Sequence, residues 1–284
     1  MYIIEEIPLQ DVKSNDKIKY NTNNHWANDV KPADYDSVVK STYTSEWISK
    51  FRQFYFVVNF DSTDITILKS MYNVCVTKNK LSNIYEDEIL YLTNKYSYID
   101  DYLKINGGHF IRFENVSLKN GKHGCIPYTS FKQILESMVT SRIAHSPVYD
   151  RLDKLQMYMI PWVNINEFKE YRVFVYEKKI TAVSQQNLYA SNEILKNLEP
   201  DVLTNTIHKH IDILVEHFNK VVKPNIILEN YVYDFALLPD DKPYFIEINS
   251  YGKEYTSGSS LFHWIIDESK LYSKTGDIYF RYTV

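Results

Sequence analysis

The stretch NYVYDFALLPDDKPYFIEIN, residues 230–249, holds the densest arrangement of potential chemistry in the chain. Two apolar strand patterns flank Pro239, Asp240, Asp241 and Lys242, a composition suited to a tight turn. If those four residues form the loop, Leu238 pairs with Pro243 and Asp234 falls directly opposite Glu247. Asn249 then lies two positions further along the same face, because strand side chains alternate with period two. The opposite face collects Tyr233, Phe235, Leu237, Tyr244, Ile246 and Ile248, apolar enough to be buried, so the carboxylate face is expected to look into a cleft.

Two carboxylates about 5 Å apart repel by ~3 kcal/mol at an effective dielectric constant of about 20. Something positive should sit between them. Magnesium suits the site: it takes hard oxygen ligands, binds through one or two carboxylates, and completes its shell with water and phosphates. The patch Asp234, Glu247 and Asn249 therefore predicts a nucleotide together with Mg2+. The competing reading is a structural ion network, with Asp234 and Glu247 paired to arginines or lysines of a neighbouring strand; residue types alone leave both open. Both carboxylates project away from the apolar face, so an alanine at either position is expected to leave the fold intact.

The elements that must carry this hairpin follow from periodicity. Residues 44–60 read as a short helix around Trp47 and Phe51 running into a strand, and residues 86–105 as one helix ended by Gly107 and Gly108. A strand over residues 109–113 leads to a turn-rich loop at 117–124. Ser130 can cap the next helix, with Gln133 three positions on and a buried stripe of Phe131, Ile134, Leu135, Met138 and Val139. Residues 155–162 read as a strand, residues 171–185 as a hairpin turning near 177–179, and residues 203–218 as a third amphipathic helix, set off from the final hairpin by Pro224. Residues 1–40, with Asn21, Asn23, Asn24 and Pro32, read as an irregular, partly extended lead-in. Alternating strands and helices without long linkers give an α+β fold of two lobes sharing a cleft, with lobes over 41–155 and 156–284 and a hinge at 156–162.

Composition closes off several function classes. With 284 residues and 44% hydrophobic content the chain can fill a substantial core, so disorder is excluded. The net charge of −4, from 32 basic and 36 acidic residues, gives no support to broad binding of nucleic acid or a membrane surface. Cys75 and Cys125 form no CxxC, which fits a reducing compartment, and no stretch has the ~18 apolar residues a spanning helix needs. A cytoplasmic protein is the expectation.

The D-F-A-L and F-I-E-I-N-S-Y-G segments, with L-F-H-W at 261–264, resemble the cell division cycle protein 123 (D123) family of divergent ATP-grasp proteins. E-Y-R-V-F-V at 170–175 with K-I-T-A-V-S-Q at 179–185 is similar to that family's arginine-bearing strand and following SQ strand, and FIRFENVSLKNG at 110–121 to its basic strand and loop. A weaker match is S-R-I at 141–143 with the strand ending at Trp162. The resemblance spans about residues 41–270. It implies an ATP-grasp-like fold with the nucleotide between the lobes. Arg112, Ser117 and Lys119 would lie at the ATP phosphates, the backbone of Met157, Tyr158 and Met159 would hold adenine, Arg172 would reach the phosphates, and Asp234, Glu247 and Asn249 would hold Mg2+. Arginine forks fit phosphate oxygens and lysine supplies a mobile point charge, so these types suit those roles. Ile160, Leu118, Asn120 and Gln186 depart from the family pattern and thin the positive charge around a polyphosphate.

The resemblance further implies a protein that assists assembly of translation initiation factor 2 by gripping its gamma subunit, with ATP as a structural cofactor. The alternative is an ATP-dependent ATP-grasp ligase, in which a carboxylate attacks the γ-phosphate and an amine captures the acylphosphate, with another protein as a candidate substrate and RNA end joining a more distant option. His208, His210 and His217 lack HxxxH spacing and read as packing or surface residues; Ser184 and Cys125 lack a nearby base.

Overall fold

The computed structural model describes residues 1–14, 19–22, 30–149, 154–255 and 257–284; Asn23 and Asn24 of the expected lead-in lie outside them. The chain divides into two compact units, Arg52–Val163 and the combination of Met1–Phe51 with Asn164–Val284. Of the segment 156–162, expected as the hinge, all but Trp162 lies in the strand Leu155–Pro161 of the first unit, and the division falls between Val163 and Asn164.

The unit Arg52–Val163 is built on a three-stranded antiparallel sheet, β2 (Phe56–Phe60), β3 (His109–Arg112) and β4 (Leu155–Pro161), with β4 in the centre. The helix Phe131–Thr140 starts where expected: the Ser130 hydroxyl accepts from the Gln133 N–H at 3.3 Å, and Phe131, Ile134, Leu135, Met138 and Val139 are all buried. The Gln133 side chain reaches back to the N–H of Thr129, one residue before the cap. The helix Ser62–Lys78 was not legible, since Thr, Ile and Val disfavour helix on propensity. A reciprocal capping box between Asp61 and Asp64 starts it, and Ile65, Leu68, Met71, Tyr72 and Cys75 bury its inner face.

Residues 86–105 form two helices rather than one, Glu86–Lys95 and Ser97–Asn106, broken at Tyr96. The break has a tertiary cause. The Tyr96 hydroxyl donates to the buried Asp64 carboxylate at 2.5 Å, and Lys95 Nζ donates to the same group at 2.9 Å. Gly107 then caps the second helix at φ +77°, donating to the Leu103 carbonyl, the C-cap role read from its position.

The second unit carries a six-stranded sheet in the order β1-β9-β6-β5-β7-β8: β1 (Tyr2–Ile7), β5 (Glu170–Tyr176), β6 (Lys179–Gln185), β7 (Tyr231–Leu237), β8 (Pro243–Asn249) and β9 (Ile278–Thr283). β5 and β6 form the expected hairpin, turning on Glu177 and Lys178, which both take positive φ as a two-residue type I′ turn demands. The opening residues are not irregular throughout: β1 pairs in parallel with β9. β9 itself lies between β1 and β6, parallel to both. Neither strand was legible, because a parallel pairing joins residues some 276 positions apart and leaves no local turn signal.

The helix Pro200–His217 runs into a π-helical segment, Phe218–Val222, and buries Ile207, Ile211 and Leu214. Aromatic side chains fill much of the rest: Trp47 and Phe51 of the helix Thr44–Phe51 both pack on Phe245.

Candidate functional site

The hairpin of β7 and β8 delivers the expected carboxylate pair by an unexpected route. Asp234 stands opposite Glu247, Tyr233 opposite Ile248 and Val232 opposite Asn249. Nearer the turn the register shifts by one, with Phe235 opposite Phe245 and Leu237 opposite Pro243. The loop is therefore five residues, closed by the Leu238 N–H on the Lys242 carbonyl, and Ile246 is the extra residue of a β-bulge. A one-residue shift exchanges faces. Phe245, not Tyr244 or Ile246, joins Tyr233 and Phe235 on the buried apolar face, where its ring stacks with Tyr233 at 6.1 Å. Tyr244 falls opposite Ala236, on the carboxylate side of the hairpin. The four-residue loop of the sequence reading was wrong, and the bulge restores the pairing it implied for Asp234 and Glu247.

The neighbour on the other side of β7 changes the chemistry. β5 places Arg172 directly opposite Asp234. Arg172 grips the carboxylate with a two-pronged fork, Nε to Oδ1 and Nη2 to Oδ2, each at 2.8 Å, and its Nη1 donates to the Gly258 carbonyl at 2.8 Å. Three donors of the arginine expected at a phosphate are thus spent on holding Asp234 and one loop carbonyl. Gln186 Nε2 adds a weaker contact to Asp234 Oδ2 at 3.4 Å.

Asp234 is acted on by opposing charges. Asp234 is buried, and burial raises its carboxyl above the ordinary range; Arg172 pulls it down, and the Glu247 carboxyl, in side-chain hydrogen-bonding reach, pushes it up again, leaving it raised. For Arg172 burial works against the charged form, but the Asp234 pair outweighs it and holds the guanidinium cationic. Arg172 thus answers the charge of Asp234, and Glu247 stands across the ladder from that pair. Asn249 is half-buried, and its amide nitrogen lies out of solvent without a hydrogen-bond partner. Among the described residues no group of three or more His, Cys, Asp or Glu side chains could hold a metal; the hairpin offers two carboxylates and an amide.

In the unit Arg52–Val163, Arg112 ends β3, buried and opposite Tyr158, and a backbone bridge joins it to Ser117 across a tight turn closed by Phe113 N–H on the Val116 carbonyl. Ser117 caps the single turn Leu118–Asn120, so Lys119 follows within one turn and is exposed. Arg112, Ser117 and Lys119 are thus held on one short stretch. His145 is held below its usual range, first by burial and then by the positive charges of Lys119 and Arg142.

The backbone of Met157, Tyr158 and Met159 is already committed. All three pair with β2, and Tyr158 and Met159 also pair with β3. A purine reading the backbone of Tyr158 or Met159 would compete with ladder hydrogen bonds on both sides, while Met157 pairs on one side only. The side chains of Met157 and Met159 are wholly buried in the core.

Of the residues set aside, His210 donates or accepts at 2.9 Å with the Tyr171 hydroxyl and is buried, and His217 packs its ring on Phe235. Ser184 is buried and accepts from the Leu261 N–H at 3.0 Å. Two residues around Asp234 escaped the sequence reading: Gly258, which anchors Arg172, and Ser260, whose hydroxyl donates to Gln186 Oε1 at 3.1 Å. The only signal for them was the run SGSS directly before L-F-H-W.

Comparison with known proteins sets these features in a family. The translation initiation factor eIF2 assembly protein of Lodderomyces elongisporus is 36% identical over 104 residues, 36% of this chain and 25% of that protein. The matched stretch therefore spans a quarter of that relative's length. The structure of Cdc123 from Schizosaccharomyces pombe aligns with a TM-score of 0.59 at 17% identity, covering 86% of this chain and 97% of that one. Its C-terminally truncated form gives 0.58 at 17% identity, over 87% and 97%. At that identity the likeness is one of fold, and the mixed α+β architecture agrees with it. The D123 family model matches residues 132–283, more than half of the chain and all of the Asp234 hairpin, and the chain belongs to the D123 family.

Proposed function

We propose that this D123 protein binds ATP with Mg2+ and serves in assembling translation initiation factor 2, with the nucleotide as a structural cofactor and the factor's gamma subunit as the protein partner. Family membership and the eIF2-assembly role of the Lodderomyces relative support the assembly half. The nucleotide half is supported by one observation: Asp234 and Glu247 face each other across the ladder, and two positions on from Glu247 the buried Asn249 amide nitrogen has no hydrogen-bond partner. Magnesium is suited to such a carboxylate pair, since it binds through one or two carboxylates and leaves the rest of its shell to water and phosphates. Glu247 and Asn249 are the direct ligands in this reading. Asp234, oriented by Arg172, adds the lone pairs that the fork leaves over. When bound, the metal supplies the positive charge that lets a polyphosphate approach two carboxylates.

Arg112, Ser117 and Lys119 are proposed phosphate contacts, the arginine by its fork and the lysine as a mobile charge. Adenine is not assigned to the backbone of Met157, Tyr158 and Met159. No helix among the described residues is long and apolar enough to cross a membrane, and the proposed work is cytoplasmic.

The test incubates purified protein with ATP and Mg2+ and follows melting temperature, ADP release and co-purification with the initiation factor. Metal-dependent stabilisation by ATP, absent in Glu247→Gln, with capture of the gamma subunit and no steady ADP release, is the expected result. Melting that ignores ATP and Mg2+ overturns the nucleotide half, and ADP release that requires an acid and an amine replaces chaperoning with ligation.

A further inference from the structure

Residues Asn21 and Thr22 stand more than a hundred positions before the region matched by the family model, yet they are tied to the loop that holds Arg172 and Asp234. Thr22 is buried, and its N–H donates to the Ser259 hydroxyl at 2.8 Å while its carbonyl accepts from the Ser259 N–H at 3.1 Å. The Thr22 hydroxyl lies 3.0 Å from the Ser259 hydroxyl and accepts from the Trp264 N–H at 3.2 Å. Beside it the Asn21 N–H donates to the Ser260 carbonyl at 2.7 Å.

Asn21 and Ser260 both adopt left-handed backbone, at φ 51° and 50°. Such conformations cost free energy in non-glycine residues and persist where the surroundings over-determine them. Here two meet across one hydrogen bond, and each helps fix the other.

Two routes lead from this latch to the carboxylate. In the first, Ser259 holds the loop whose Gly258 carbonyl receives Arg172 Nη1, and the same guanidinium forks Asp234. In the second, the Ser260 hydroxyl donates to Gln186 Oε1, and Gln186 Nε2 contacts Asp234 Oδ2. We infer that Thr22 is a positioning residue for Asp234: the N-terminal segment latches the 257–260 loop, and the loop sets the arginine and glutamine that aim the carboxylate. The inference deepens the proposed Mg2+-ATP site and rests on it for its functional consequence, though not for its geometry.

The test uses the full chain with Thr22→Val, which keeps shape and removes the hydroxyl, and Thr22→Ser, which restores it. The first readout needs no ligand: heteronuclear NMR of the Arg172 Nε–H, which the Asp234 fork shields from solvent exchange. The second is the affinity for Mg2+-ATP, measured by calorimetry well below the melting temperature. Thr22→Val should speed exchange of that N–H and weaken Mg2+-ATP binding by about tenfold, the usual effect of losing an outer-sphere partner, and Thr22→Ser should recover both. Should Thr22→Val fold poorly, Ser260→Ala, which cuts the second route alone, gives a smaller change in the same direction. Unchanged Arg172 exchange in a folded Thr22→Val protein, whatever its melting temperature, overturns the inference. Faster exchange with no Mg2+-ATP binding in the unsubstituted protein leaves the latch standing and removes the proposed nucleotide site instead.

Discussion

Asp234→Ala separates the two ways of reading the carboxylate pair, because the ion pair makes this side chain part of the fold. The side chains of Asp234 and Arg172 are 2% and 11% exposed, and the carboxylate receives two of the guanidinium's bonds at 2.8 Å. Truncating the acid leaves Arg172 Nε and Nη2 without acceptors in a nearly dry site, while Nη1 keeps the Gly258 carbonyl. Breaking a buried pair from one side costs about 3–5 kcal/mol. At roughly 2–4 °C per kcal/mol for a unit of this size, the melting temperature falls by ~6–20 °C. Replacing both partners together, as in Arg172→Met with Asp234→Leu, restores most of that loss, since the stranded charge goes with the acid and apolar volume replaces the pair. Glu247→Gln acts differently: it removes a like charge that pushes Asp234 up, and metal-dependent stabilisation by ATP disappears. Thermal unfolding followed by circular dichroism, with urea titration as a check, measures all four proteins. An Asp234→Ala protein that melts within ~2 °C of the unsubstituted chain refutes the reasoning.

Three further outcomes follow from other parts of the molecule. Asp241, at the hairpin tip, is lowered to about 2 by hydrogen bonds first from Lys209 and then from Lys169. A depressed carboxylate contributes stability above its unfolded value near 3.8 that is lost as pH falls toward 2, so Asp241→Asn flattens the acid limb of a stability-against-pH curve in that window. His210 is lowered from 6.5 to about 4, chiefly by burial, so the fold holds it neutral. Stability is full above 6.5 and falls by up to ~3 kcal/mol as pH drops to about 4, a loss that denaturant titrations of His210→Phe should lack. A Cβ on Gly121 would stand 2.5 Å from the Ser137 carbonyl oxygen and 2.8 Å from its Cα. Gly121→Ala must displace the loop that carries Ser117 and Lys119, costing ~1–3 kcal/mol by overpacking and weakening ATP-dependent stabilisation; an unchanged melting curve would show that the loop yields freely.

Much of this site was written locally. Alternation of apolar and polar residues over 230–249, with a Pro-Asp-Asp-Lys break, was enough to place Asp234 across from Glu247, because strand periodicity and turn chemistry act between near neighbours in the chain. The same holds for the Ser130 cap, the buried stripe of its helix and the turn at Glu177 and Lys178. Where the local rule was incomplete, a bulge at Ile246 repaired the register and sent Phe245 to the core, a choice decided by Trp47, Phe51 and Tyr233 packing against that ring.

Strand order was not written locally, and it decided the electrostatics. Nothing within reach of Asp234 along the chain says that β5 lies beside β7, so the partner 62 residues away that fixes its orientation could not be read from the hairpin. The latch from Thr22 to Ser259 spans 237 positions, and the parallel pairing of β1 with β9 spans nearly the whole chain. Such contacts arise from how whole sheets minimise exposed apolar surface and unpaired backbone, a balance summed over every strand at once. The sequence alone thus determined that two acids meet on one face; only the tertiary structure determined that one of them is held by an arginine from the neighbouring strand.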